Sequence, residues 1–115
     1  METKKQTEQW LREQGFEKAD REWERVSYPI HVRVWFVDDQ NVTVMVGRLS
    51  EEDWGVMSWD LNKTGVREGV VKTIEGYCLS RAHFLQAAQA LKDCLDKGIN
   101  YREVEDLSKK EIGNP

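Results

Sequence analysis

The chain is poor in the residues that carry most recognisable chemistry. Its 115 residues include only two cysteines, two histidines and two prolines. Cys78 and Cys94 belong to no C-x-x-C pair, and there is no third or fourth cysteine for a structural zinc site. They read as buried free thiols in a reducing compartment. His31 and His83 fall in neither H-x-x-x-H nor H-E-x-x-H spacing, so a metal site would need distant carboxylates. There is no G-x-S-x-G elbow. The stretch N-K-T-G-V-R-E-G lacks the order of a phosphate-cradling loop. Carboxylates are so numerous that any acid/base pair would be arbitrary. These absences point away from an enzyme, and no catalytic residue, metal or cofactor is expected. No apolar run approaches the ~18 residues of a membrane span. The opening M-E-T-K-K-Q-T-E has no apolar core of a secretory leader. The expectation is a cytoplasmic protein with no membrane partner.

Positive charge is also in short supply. Lys and Arg total 17 against 21 Asp and Glu, a net charge of −4. That balance disfavours a large duplex-DNA footprint, which neutralises phosphates with Lys and Arg. What the chain does have is tryptophan, five residues, with three Tyr and three Phe. Such aromatic content argues for a packed core despite 33% charged residues. The length suits one domain. We assign it to residues 1–107, with 108–115 as a frayed tail.

The most strand-like stretch runs from Ile30 to Val46. It reads I-H-V-R-V-W-F-V, then D-D-Q-N, then V-T-V-M-V. Two β-branched runs around an acidic break predict a β-hairpin. Side chains alternate faces along a strand, so a slip of one residue swaps every face. If Val37 pairs with Val42, both faces are mixed. If Val37 pairs with Asn41, then Phe36, Val34 and Val32 meet Val42, Val44 and Val46. One face is then wholly apolar, and the other carries His31, Arg33, Trp35, Thr43 and Met45. The second register segregates polarity and is preferred. It leaves Asp38, Asp39 and Gln40 as a three-residue loop, with Asn41 expected to tolerate a left-handed backbone.

Residues 3–15 predict a helix. Thr3 and Gln6 match a capping box, and Gly15 is placed to stop the helix with Phe16 against Leu11. Residues 17–21 read as a polar connection and 22–28 as a strand, ended by Pro29. For 50–60, S-x-x-D could open a helix, but W-G-V-M-S-W favours a strand over 54–60. Residues 62–69 read as a loop. Residues 70–79, V-V-K-T-I-E-G-Y-C-L, read as the last strand, with Gly76 marking a bulge or close approach. Ser80 is a candidate N-cap for an amphipathic helix over 81–97. Phe84, Leu85, Ala88, Leu91, Cys94 and Leu95 form its apolar stripe, and Gly98 its stop. This helix is expected to cover Ile30, Val32, Val34 and Phe36. Residues 100–107 fit an edge strand or a further turn of helix. The sum is an α+β fold: a meander-like antiparallel sheet of about five strands, an N-terminal helix, and a C-terminal amphipathic helix packed on the sheet.

The segment E-G-Y-C-L-S-R-A-H-F-L-Q-A-A-Q-A-L resembles the last strand and helix of the positive-cofactor type of single-stranded DNA-binding domain. The resemblance covers about a sixth of the chain. It implies an antiparallel sheet followed by one helix, and single-stranded DNA as ligand. That family's basic N-terminal residues have no counterpart here.

Function is expected on a surface rather than in a pocket. The leading expectation is a small, acidic, non-enzymatic binding module acting by protein–protein contact, of inhibitor, immunity or accessory type. Trp and Arg carry much of the energy in such contacts. The partner-binding candidates are Arg25, Arg33, Trp35 and Met45 on the sheet, with the acidic turns Asp38, Asp39, Glu51, Glu52 and Asp53. The alternative is single-stranded nucleic acid stacked on the same aromatic and Arg face. A homodimer through that face, or an enzyme without a recognisable motif, is a third class.

Overall fold

The computed structural model describes residues 2–27, 30–48, 54–79 and 85–100. Helix α1 spans Lys4–Glu13. Its start is the expected reciprocal cap: Gln6 N donates to Thr3 Oγ1, and Thr3 N donates to Gln6 Oε1. Gly15 takes φ 86°. Gly15 N donates to Arg12 O and Phe16 N to Leu11 O, which closes the helix end.

Five strands follow, β1 (Glu17–Ala19), β2 (Glu22–Ser27), β3 (Ile30–Phe36), β4 (Asn41–Arg48) and β5 (Trp54–Asp60). Each pairs antiparallel with the next, in the sheet order β1-β2-β3-β4-β5. The predicted register holds: Phe36 lies opposite Val42, Val34 opposite Val44, and Val32 opposite Val46. The three-residue loop holds too, with Val37 N donating to Asn41 O. Among the described non-glycine residues only Asp20 has positive φ. Asn41 therefore does not adopt the left-handed backbone expected of it. The Asp38 carboxylate closes this turn instead, accepting from Gln40 N, Asn41 N and Asn41 Nδ2.

Two further helices complete the fold, α2 (Val66–Leu79) and α3 (Leu85–Asp96). The strand expected over 70–79 is thus a helix. Val66, Val70, Ile74, Tyr77 and Cys78 are all buried at helical spacing. The β-branched run Val70-Val71-Lys72-Thr73-Ile74 has strand propensity, but packing onto the sheet overrides it. The strand-to-helix join behind the DNA-binding resemblance therefore has no strand. Residues 66–69, expected in a loop, form the first turn of α2. Glu2 holds that turn: its carboxylate accepts from Val66 N at 3.1 Å and from Thr7 Oγ1. Residues 17–21, expected as a connection, contain β1. The five-strand count survives because β1 replaces the misread segment. Helix α3 ends as predicted, with Gly98 at φ 74° and Ile99 N donating to Cys94 O. The expectations for Tyr28, Pro29, Ser80 to Phe84, and residues 101–115 lie outside the described residues.

All three helices lie on one side of the sheet. Lys4 and Arg12 of α1 sit over the rings of Phe36 and Trp23. Gly69 and Tyr77 of α2 meet Trp59 and Gly55. Ala88, Leu91 and Leu95 of α3 join the same core as Ile30, Val32, Val34, Val42, Val44 and Val46. The cysteines are free thiols, Cys78 buried and Cys94 half-buried. Burial pushes both thiols above their ordinary pKa.

The two inner glycines of α2 differ in kind. A Cβ on Gly69 would fall 2.3 Å from the Trp59 indole, whereas one on Gly76 would meet nothing within 4 Å. Gly76 therefore marks neither a bulge nor a close approach. Gly76→Ala should stabilise the protein by about 0.5–1 kcal/mol, the ordinary gain in a helix interior. Gly69→Ala should destabilise it by about 1–3 kcal/mol through overpacking. Urea unfolding of both variants checks this. Shifts of the same sign in the two would refute the seating of Trp59 on Gly69.

Candidate functional site

The register sorts side chains into two faces. The core side carries Trp23, Arg25 and Ser27 of β2, the aliphatic residues of β3 and β4, and Gly55, Met57 and Trp59 of β5. The opposite side is built of three rows across the strands. One runs Ala19, Glu22, Trp35, Thr43, Ser58. The next runs Glu17, Glu24, Arg33, Met45, Val56. The last runs Val26, His31, Gly47, Trp54. Among the described residues, no helix covers these rows. Helix α1 lies with the others on the core side. Trp35 is half-buried, and Val26 and Val56 are 48% and 59% exposed.

This open face is held together laterally. Arg33 reaches Glu22 with two nitrogens, Nε at 2.9 Å and Nη2 at 2.7 Å from the same carboxylate oxygen. His31 Nε2 lies 3.3 Å from Glu24 Oε2. The Trp54 indole lies against Gly47, where a Cβ would come within 2.5 Å of it. It meets the His31 ring edge-on at 5.4 Å between centroids, and the Arg33 guanidinium stands 6.0 Å from its centroid. Thr43 Oγ1 and Ser58 Oγ share a hydrogen bond of 2.8 Å. These contacts hold the side chains of the open face against one another.

The structure brings together Arg33, Trp35 and Met45 as expected. It separates Arg25, which is buried at 6% exposure on the core side opposite Val32. Alternation along β2 places Arg25 with Trp23, so its grouping with Arg33 was an error of parity. Asp38 and Asp39 lie at the β3–β4 turn, beyond the end of the face. Asp38 serves the turn, while the Asp39 side chain is 93% exposed and lies 4.0 Å from Lys4. Glu51, Glu52 and Asp53 lie outside the described residues. The sequence reading omitted Glu22, Glu24, Val26, Trp54 and Val56. Their signal was present, because the parity that places Trp35 also places each of them once the strand pairs are known. Of the four strand tryptophans, Trp23 and Trp59 go to the core, and Trp35 and Trp54 to the open face.

No family model, curated protein or solved structure matches this chain. Among the described residues, no helix is long and apolar enough to cross a membrane.

The Asp38 carboxylate is held below its ordinary pKa, chiefly by the Gln40 N–H and then by the Asn41 side chain and N–H. A depressed folded-state pKa adds stability above the unfolded-state pKa and loses it as pH falls through the folded value. Asp38→Asn should therefore melt below the wild type at pH 7, with the gap closing only as pH falls below the ordinary aspartate range. Thermal melts across that range test it, and a gap independent of pH would contradict it.

Proposed function

We propose that the protein is a non-enzymatic binding module that contacts another protein through the open face of its sheet. The carrying observation is that face's composition. Val26, Trp35, Met45, Trp54 and Val56 supply apolar and aromatic surface, and Arg33 is already paired with Glu22. Aromatic groups in a rigid setting are the common anchors of protein interfaces.

The same face speaks against a nucleic-acid platform. Its described carboxylates are Glu17, Glu22, Glu24 and, at the end of β5, Asp60, and its one described guanidinium, Arg33, is engaged by Glu22. A phosphate backbone would meet net negative charge. The half-buried indoles of Trp35 and Trp54 alone favour stacking, and stacking without a basic groove is only half of such a site.

The test compares capture of a partner by the wild type and by face variants that keep the fold. Val26→Asp changes an exposed residue, and Trp35→Ala removes the central aromatic. If Trp35 is an anchor, its loss should cost about 2 kcal/mol or more, roughly thirtyfold in affinity. Capture unchanged in both variants would refute the face. Tryptophan quenching by an oligonucleotide at low salt, fading as salt rises, would favour the nucleic-acid reading instead.

A further inference from the structure

Among the described residues, nothing pairs with the outer edge of β5. Leu61 N donates to Gln40 O, one step beyond the β4–β5 ladder. With the observed register, this makes Val42–Trp59, Val44–Met57 and Val46–Gly55 the hydrogen-bonded pairs. The backbone N–H and C=O of Trp54, Val56 and Ser58 then point away from the sheet. Among the described residues, no strand pairs with them. Edge strands of monomers are usually blunted by Lys, Pro, a bulge or an inward charge. In β5 the sole charge is Asp60, at its end.

Beside this edge, on the core side, lies a groove of about 280 Å³ between β5 and α2, lined in part by Gly55, Met57, Lys72, Thr73, Gly76 and Tyr77. Gly76 opens it, since a Cβ there would meet nothing within 4 Å, and the Tyr77 ring lies against Gly55 at its wall.

We propose that a second copy of this chain pairs its β5 antiparallel to this edge, about a two-fold axis between the two Val56 residues. The occupant is argued from self-complementarity. In this register Trp54, Val56 and Ser58 exchange backbone hydrogen bonds with the Ser58, Val56 and Trp54 of the mate. Gly55 faces the mate's Met57 in a non-hydrogen-bonded pair, where side chains stand closest. The Met57 side chain of each copy thus enters the glycine-lined groove of the other. On the open side, the two exposed Val56 side chains cover each other. No like charges meet within the paired segment. A register shifted to centre on Met57 would oppose Met57 to itself and leave Gly55 facing Trp59, which is already packed on Gly69. Seven strand residues span only about 23 Å, while a stable dimer buries about 800 Å² per partner. The groove and the adjoining flank of α2 therefore have to close as well, and the dimer should dissociate on dilution. The continuous sheet would double the open face.

Sedimentation of the full chain over a range of concentrations tests this. Val56→Pro removes an outward N–H that β4 does not use, and proline is tolerated on an edge strand. Gly76→Leu fills the groove from a position where a Cβ meets nothing within 4 Å, so the monomer should fold normally. The wild type should show a monomer–dimer equilibrium, weakened at least tenfold in both variants, with melting of the dilute monomer not lowered. A wild type that stays monomeric at every concentration would overturn the proposal. So would a dimer that neither variant weakens. Val56 also belongs to the open face, but Gly76 lies in the core-side groove, so the Gly76→Leu result leaves the open-face reading to its own test.

Discussion

The pairing of β3 with β4 in a single register is the constraint on which the rest depends. It places Val32, Val34, Val42, Val44 and Val46 on one side, each at 1% exposure or less. A slip of one residue would drive Arg33 and Thr43 of one strand or the other into that core. Burying an aliphatic side chain is worth about 1.5–3 kcal/mol, so several together decide the register over any local preference. Once one side is wholly apolar and the other mixed, the helices have one place to go.

The helices then seat through shape. Trp59 fits because Gly69 lacks a side chain, and the Tyr77 ring closes on Gly55 for the same reason. Polar ties fix the ends of the elements. Glu2 reaches across the chain to the first turn of α2, and Lys92 of α3 lies 3.7 Å from Glu75 of α2. Glu75 is more than half exposed, so the pair adds little energy, but it agrees with the packing of one helix on the other.

The open face follows from the same segregation. Its polar groups are satisfied sideways, Arg33 by Glu22, His31 by Glu24 and Thr43 by Ser58. Such lateral bonding makes a mixed face stable without a covering layer. It also leaves an ordered surface whose aromatic groups are already held in place, the condition under which a partner loses least by binding.

The features legible in the sequence were those governed by local chemistry or strict alternation. Thr3 with Gln6, Gly15 and Gly98 marked helix ends because capping needs only neighbours along the chain. The hairpin register was legible because one pairing separates polarity and the other does not. Helix α2 was not, since Val70-Val71-Lys72-Thr73-Ile74 favours a strand locally and becomes helical only against β4 and β5. Strand β1 escaped notice because Glu17, Lys18 and Ala19 are all exposed and carry no pattern, and pairing with β2 alone makes them a strand. The position of Arg25 was legible by parity, yet its burial depends on what covers that side. Sequence thus determined the two faces of the sheet. Tertiary packing decided which side α1 covers, because its apolar residues Trp10 and Leu11 are too few to choose a side by themselves.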